Sequence, residues 1–437
     1  MGLEEKSNAA SKKEIVAVIG LGYVGLPLAL SFVKKGFEVI GIDLDQQKIK
    51  QLQQGLSYFP DIHDSVVRSA VTSQRLIVTD NYNGLKSAET IILCIPTPLT
   101  PYDTPDLSCL TQAAQEMSRR IMTGQLIILE SSTYPGTTKE VLLPILEKSG
   151  LKVGKDIYLG YSPERIDPGN SQYSIEEINK VVSGVTETCS RKVYDLYSQV
   201  FSQVITVSST EAAELTKLVE NSYRFINISF VNELAIICDS LNINVWEIID
   251  AASTKPFGFS AFYPGPGIGG HCIPVDPLYL NWKIKKYGLD SYFIDISNKI
   301  NHKIPKYIVE QIKYRLAPHR PIKHSDILLY GVAYKQNVGD VRGSSALEIM
   351  KLLQYEGANV SYHDPFVPYV QIDELKLSSV ELTDELLQKS DCIVIITDHA
   401  NIPLQRILEH ASLVFDTRNA TKGMEGKASV YRLGGGQ

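Results

Sequence analysis

Residues 15–33 read "IVAVIGLGYVGLPLALSFV", nineteen positions without a charge, preceded by Lys12 and Lys13. Length and apolarity alone would suit a membrane span or a signal sequence. Three glycines within six residues, a proline and a charged second strand directly afterwards argue against both. Gly20, Gly22 and Gly25 follow a strand-like run and open a helix. The first glycine of such a turn permits its tightness, and the second lets backbone approach a pyrophosphate. The third allows close helix–strand packing, and the helix N-terminus supplies N–H donors. Tyr23 and Val24 lie in the same turn. The next strand ends at Asp43, 18 residues past the last glycine, where a carboxylate can take both ribose hydroxyls. Aspartate favours NAD over NADP here, because a 2′-phosphate would meet negative charge.

Outward from this unit, apolar runs alternate with helical patterns. "EVIGID", a helix from Gln46, "LIVTD", "TIILCIP", a helix over Leu110–Met122 and "LIILESS" follow in turn. Continuous buried runs separated by helices predict a parallel, doubly wound sheet. "DIYLGYSPER" and "NKVVSG" extend it, and "QVITVSS" closes it. From Thr210 the pattern is helical for thirty residues without Gly or Pro, a helix long enough to link domains and to form a dimer interface. Near Pro321 the opening unit returns: "ILLYGV" matches "IVAVIG", "YEGANVSYHDPF" matches "KKGFEVIGIDLD", and "CIVIITDHA" echoes "TIILCIPTP". The copy lacks the glycine fingerprint. The expected fold is α/β: two Rossmann-like, doubly wound parallel-sheet domains joined by a long central helix and a helical linker domain. The expected boundaries are 1–208, 209–318 and 319–437.

The totals agree with this organisation. A chain of 437 residues is too long for one core. Its net charge of −6 is small and argues against nucleic-acid or membrane-surface partners. Six cysteines without CxxC spacing argue against a disulfide framework or a zinc site and for reduced cytoplasmic thiols. Cys94 and Cys392 sit in strand-like runs and read as small buried hydrophobes. The leader "MGLEEKSNAASKK" reads as a loose polar tail.

One cysteine is placed differently. In "GPGIGGHCIPVDPLYL", residues 265–280, Cys272 follows a run of glycines and prolines and precedes Asp276 by four residues. Taken alone it is either an inconsequential loop thiol or a nucleophile with little steric cover.

The motifs "GLGYVGLPLA", "ESSTYPGTT", "YSPERIDPGN", "ELTKLVEN", "PGPGIGGHCIPVDP" and "GVAYKQNVGDVRGSSALEI" together resemble the UDP-glucose/GDP-mannose dehydrogenase family, in family order and over nearly the whole chain. Within the family, "SPERIDPGN" and "TKPFGFSAFYPGPGIGGHCIPVDP" are most similar to the branch that oxidises UDP-N-acetylhexosamines, and closest to the UDP-N-acetylglucosamine members. The resemblance implies oxidation of a sugar C6 alcohol to a carboxylate with two NAD+, through a thiohemiacetal and a thioester on Cys272. It further implies that Lys217 stabilises a developing oxyanion and Asn221 orients it, the two being four apart on one helix face. Asp276 would activate water or move a proton, Glu164 would help place the water, and Thr133 would sit by the nicotinamide. Without the motif, the Lys217/Asn221 pair would read as a solvated helical stripe. Thr97, Thr133 and Arg342 join the cofactor set by resemblance, with Gly20, Gly22, Tyr23, Val24, Gly25 and Asp43. The substrate set comprises Glu164, Arg165, Lys217, Asn221, Gly269, Lys335 and Arg418, guanidinium groups being suited to phosphate.

His271 stands where UDP-glucose-specific relatives have serine, and carries no assigned role. Lys255 and Phe257 stand where some relatives place an arginine that reaches a neighbouring subunit, so that contact is not carried over. The expectation is a cytoplasmic homodimer, with no metal, acting on UDP-N-acetyl-D-glucosamine in a cleft between domains. Its product would feed cell-surface polysaccharide synthesis. UDP-N-acetylgalactosamine, UDP-N-acetylmannosamine and UDP-glucose remain alternative substrates. A non-catalytic NAD-binding redox sensor, switched by Cys272, is the alternative class.

Overall fold

The computed structural model describes residues 14–59, 61–165, 173–372 and 375–436. The leader and the last five residues of "YSPERIDPGN" lie outside them. The chain divides into two compact units at Leu218/Val219, within a continuous helix, Thr210–Leu241.

Among the described residues, the first unit holds an eight-stranded sheet. Its strands are β1 (Ile15–Ile19), β2 (Glu38–Ile42), β3 (Leu76–Thr79), β4 (Thr90–Leu93), β5 (Leu126–Leu129), β6 (Tyr158–Tyr161), β7 (Lys180–Gly184) and β8 (Val204–Thr206), in the order β3-β2-β1-β4-β5-β6-β7-β8. The pairs are parallel except β6/β7, where Gly160 faces Gly184 and Tyr161 faces Ser183. The expectation of parallel strands fails at this one pair. A helix, Glu187–Tyr197, explains why glycine stands on both strands. A Cβ on Gly160 would lie 2.4 Å from Val193, and one on Gly184 would lie 2.1 Å from the backbone of Ser190. Apolar residues fill both faces of the sheet: Val16, Val18, Ile92 and Ile128 on one, Ala17, Ile19, Ile91 and Ile127 on the other. Each such valine or isoleucine side chain, fully buried, contributes about 1.5–3 kcal/mol.

The stretch that resembles a membrane span is β1, a glycine turn and a ten-residue helix, Gly25–Lys34. Among the described residues no helix is long and apolar enough to cross a membrane.

The second unit carries helices Val245–Ser253, Asp276–Lys285 and Tyr292–Leu316, then a five-stranded parallel sheet. Its chain order runs β9 (Asp326–Tyr330), β10 (Asn359–His363), the antiparallel hairpin β11 (Tyr369–Ile372) and β12 (Leu375–Ser378), β13 (Cys392–Ile395), β14 (Leu413–Asp416) and β15 (Ser429–Arg432). The spatial order of the sheet is β10-β9-β13-β14-β15. The centre of this sheet repeats that of the first, β10-β9-β13 corresponding to β2-β1-β4, so the sequence echo is a structural one. The loops after the first strand differ. The first unit passes from β1 to its helix through four residues beyond Gly20, whereas the second spends residues 332–344 before the helix Ser345–Tyr355.

Candidate active site

The fingerprint turn has the geometry its glycines imply. Gly20 adopts φ +91°, and a Cβ there would lie 2.3 Å from the carbonyl oxygen of Cys94. A Cβ on Gly25 would lie 1.8 Å from the Gly20 oxygen, whereas one on Gly22 would meet nothing within 4 Å. That open side is where a pyrophosphate can approach. The helix beyond begins at Gly25, and Val24 before it offers no side-chain cap, so its first N–H groups suit an anion. Asp43 directly follows β2 beside the turn, its Oδ2 accepting from Leu21 N at 2.8 Å and its Oδ1 from Asp45 N at 3.0 Å. Lys48 Nζ lies 3.8 Å from the same carboxylate. Tyr58 donates its hydroxyl to Leu21 O, and burial together with Asp43 and Asp45 drives that phenol upward. These residues fit NAD.

Thr97 and Thr133 lie beyond β4 and β5 of the same unit. Thr97 Oγ1 donates to Ser132 O at 2.5 Å. Thr133 is buried, and its Oγ1 has no hydrogen-bond partner among the described residues. A buried hydroxyl left so is expensive unless a ligand or water satisfies it. Glu164, after β6, is buried with its Oε2 3.7 Å from Lys180 Nζ. Arg165 donates from Nη1 to Asn179 O at 2.7 Å. Lys217 is also buried.

Glu214 had no place among the sequence candidates. It sits in the first turns of the Thr210–Leu241 helix. Its carboxylate accepts from Gly136 N at 2.5 Å, Thr138 N at 2.8 Å and Thr138 Oγ1 at 2.7 Å. It therefore ties the "STYPGTT" loop to the helix that carries Lys217.

In the second unit, Asn221 donates from Nδ2 to Asp276 Oδ2 at 2.5 Å, and both residues are buried. Asp276 opens the helix that ends at Lys285, and its backbone N–H donates to Cys272 O at 2.8 Å. The structure thus gathers three sequence-predicted residues, Asn221, Asp276 and half-buried Cys272. The glycine-rich approach to Cys272 rests on the loop after β9. A Cβ on Gly269 would lie 2.7 Å from Gly343 O, and one on Gly270 about 3.0 Å from the Tyr334 ring. Gly270 N donates to Arg342 O at 3.0 Å. Lys335 follows Tyr334 in this loop, and Arg342 is held by its own loop, donating from Nη2 to Asp340 Oδ2 at 2.6 Å. Arg418 packs against Gly265, where a Cβ would lie 2.6 Å from Nη1, and donates from Nε to Ile396 O at 2.9 Å. Burial pushes the Arg418 guanidinium down, against Asp398 and Asp416. A desolvated cation of this kind is a natural counterpart for a phosphate.

Two asparagines missed by sequence reading hold the cysteine approach in place. Asn232, on the long helix, accepts from Gly265 N at 2.8 Å. Asn301 accepts from Ile268 N at 2.7 Å and donates back to Ile268 O at 3.3 Å. Nothing in a single sequence marks them, because each acts across 33 residues of chain.

Comparison with known proteins agrees with this geometry. Residues 14–201 match the profile of the UDP-glucose/GDP-mannose dehydrogenase family, NAD binding domain; residues 211–303 match the central domain; and residues 328–423 match the UDP binding domain. Protein CapL of Staphylococcus aureus is 36% identical over 429 residues, covering 96% of this chain and 99% of CapL. The UDP-N-acetyl-D-glucosamine 6-dehydrogenase of Pseudomonas aeruginosa is 37% identical, covering 80% of this chain and 83% of that one. Among solved structures, a UDP-D-ManNAc dehydrogenase from Pyrococcus horikoshii superposes with a TM-score of 0.88 at 30% identity, covering 97% of this chain and 99% of that one.

Proposed function

The chain belongs to the UDP-glucose/GDP-mannose dehydrogenase family, and from that premise we propose that it oxidises the C6 alcohol of UDP-N-acetyl-D-glucosamine to the uronate. It is an NAD-dependent UDP-sugar dehydrogenase; the choice of sugar and the residue roles are our reading. NAD+ supplies the two-electron acceptor for each of two oxidations. Between them the Cys272 thiol adds across the aldehyde C=O, holding C6 as a thiohemiacetal whose oxidation gives a thioester. Water then adds to the thioester carbon, the C–S bond breaks, and Cys272 leaves with a proton. The balance is alcohol plus two NAD+ plus water giving carboxylate, two NADH and three protons.

Lys217 and Asn221 would stabilise the oxygen at C6, Asp276 would move its proton, and Glu164 would direct the water. Thr133 and Thr97 would line the nicotinamide end of the cofactor. Gly20, Gly22, Tyr23, Val24, Gly25 and Asp43 would hold its pyrophosphate and ribose. Arg165, Gly269, Lys335 and Arg418 would bind the UDP-sugar, with Arg342 at a phosphate. The observation that carries the reading is the Asn221–Asp276 hydrogen bond at 2.5 Å, built on the turn whose carbonyl belongs to Cys272.

The segments 1–208, 209–318 and 319–437 would serve as NAD-binding, helical dimerisation and UDP-sugar-binding parts. A homodimer through the long helix is supported by exposed Val219, Tyr223, Phe230 and Ile237 along it; sedimentation velocity tests it. NAD and nucleotide sugars are cytosolic metabolites, so the proposed compartment is the cytoplasm, and the uronate would feed cell-surface polysaccharide synthesis. UDP-N-acetyl-D-mannosamine is the second reading for the substrate, favoured by the likeness to the Pyrococcus horikoshii enzyme.

A panel of UDP-sugars, scored by NADH yield and product mass, tests the proposal. Two NADH per UDP-N-acetyl-D-glucosamine and a uronate are expected. One NADH with released aldehyde would refute the covalent scheme, and none would favour a sensor. Cys272→Ala should abolish the uronate while NAD affinity stays near wild type, measured by calorimetry.

A further inference from the structure

Behind Glu164 lies a buried polar cluster that none of the assigned roles uses. Lys180 begins β7 with its side chain 4% exposed, and its ammonium contacts Glu130, which is fully buried where β5 ends. Tyr197, from the helix packed on this face, donates its hydroxyl to the other oxygen of Glu130. The rings of Tyr197 and Phe201 lie 5.3 and 5.1 Å from the same ammonium. The remaining reach of Lys180 is toward Glu164 Oε2, at 3.7 Å. Desolvation opposes the charge on Lys180, but Glu130 and Glu164 outweigh it, so the ammonium persists. Burial pushes the Glu130 carboxyl up against the pull of Lys180. Cys94, deep beside the cluster, is pushed far up by desolvation and by both carboxylates, and so stays a neutral thiol.

A buried cation needs a reason, since a well-packed apolar trio of the same volume would be at least as stable. Here three elements fix one ammonium, and it points at the carboxylate assigned to water.

We propose that Lys180, clamped by Glu130 and Tyr197, is a positioning residue that holds the Glu164 carboxylate in place for hydrolysis of the Cys272 thioester. The inference rests on the role given to Glu164 above. In that step the water oxygen bonds to the acyl carbon and the C–S bond breaks. The water proton passes through Glu164 to the departing sulfur, and no redox partner is needed. Without the ammonium, the Glu164 side chain turns away, and the acyl-enzyme waits. Both oxidations precede this step and are spared.

The test uses the full chain with the UDP-sugar that turns over best. Lys180→Met strands a buried carboxylate and risks misfolding, so Lys180→Met/Glu130→Gln, which removes both charges, is made alongside it. Glu164→Gln is the reference. Rapid-mixing NADH traces and intact mass during turnover are recorded for each. The expected result for the double variant is a burst near two NADH per active site, followed by steady turnover lower by roughly 10- to 100-fold. A sugar-acyl adduct should be visible on Cys272. A merely structural role would shrink the burst with the folded fraction and leave Cys272 unmodified, and that outcome overturns the proposal. If Glu164→Gln itself hydrolyses normally, the role of Glu164 fails and the proposal falls with it. If Glu164→Gln accumulates adduct and the double variant does not, only the positioning by Lys180 is refuted.

Discussion

Glu214→Gln separates the loop-holding carboxylate from the chemistry it supports. In the native chain two oxygens serve three donors: Oε2 takes Gly136 N, and Oε1 takes Thr138 N and Oγ1. Glutamine keeps one oxygen for Thr138 and turns an NH2 toward the Gly136 N–H, donor against donor. The loss is one hydrogen bond plus an unsatisfied buried N–H, about 2–4 kcal/mol in all. At about 1.4 kcal/mol per decade this opens the loop roughly 30- to 1,000-fold more often. A chain of two compact units need not unfold in one step. Local amide exchange at Gly136 and Thr138 is therefore the assay, rather than a melting curve.

The pH dependence has a definite sign. Burial pushes the Glu214 carboxyl up to about 7 despite its three donors, from an unfolded value near 4.5. The folded chain thus holds this proton more tightly. The associated stability is complete below about pH 4.5 and is lost as pH rises through about 7. The variant should lack that slope. Measured near pH 5, where the wild-type chain still keeps most of that stability, exchange at both amides within threefold of wild type would refute the reasoning.

Asp43→Ala should weaken NAD binding by removing the ribose acceptor, whereas Asp364→Ala should leave NAD affinity alone and destabilise the second unit. Calorimetric titration and limited proteolysis check the pair, and equal effects on NAD would contradict the assignment. Gly269→Ala places a Cβ 2.7 Å from the Gly343 carbonyl, so one of the two loops must move. Turnover should fall at least tenfold with NAD binding intact, and unchanged steady-state rates would show that the loop contact does not set the Cys272 geometry.

What the sequence made legible was local or periodic. The strand–glycine–helix unit, the acid at the end of β2, the 32-residue helix and the echo of the opening unit all leave patterns within one window of chain. The helix predicted over Leu110–Met122 runs Ser108–Ser118, an ordinary boundary error where no proline or capping side chain marks the end. The helices Asp64–Thr72 and Glu187–Tyr197 are absent from the sequence expectation although their buried residues keep helical spacing, Val67 and Ala70 in one and Cys189, Val193, Leu196 and Tyr197 in the other. The antiparallel turn of β7 was invisible because a buried strand reads the same in either direction. The site residues that escaped, Glu214, Glu130, Lys180, Asn232 and Asn301, share one property. Each acts on a partner between 33 and 78 residues away, and spacing within a window says nothing about such partners.

The two copies show why one acid position can carry two functions. After β1, Gly20 N donates to Ile42 O at 2.7 Å; after β9, Gly331 N donates to His363 O at 2.9 Å. Both glycines adopt positive φ, +91° and +79°, with carbonyl oxygens 2.3 and 2.4 Å from where a Cβ would stand. Asp43 and Asp364 then directly follow the second strands, each accepting the N–H that follows its glycine, from Leu21 at 2.8 Å and from Val332 at 2.7 Å. Each also accepts the N–H two residues on, from Asp45 at 3.0 Å and from Phe366 at 2.8 Å, and there the likeness stops. Asp364 also accepts from Ala333 and Val367, and its Oδ2 meets His399 Nε2 at 3.1 Å. Because His399 Nδ1 accepts from Asn337 N at 3.0 Å, Nε2 is the nitrogen that carries the proton to Asp364. Burial would raise the Asp364 carboxyl, but His399 and the backbone donors outweigh it and hold it low. A carboxylate filled by its own chain has no acceptor left for a ribose, while the long loop that replaces the glycine turn is freed to support the Cys272 approach. The sequence echo preserved the turn and the acid because the strand ends require both; ligand choice was decided by what fills the acid afterwards.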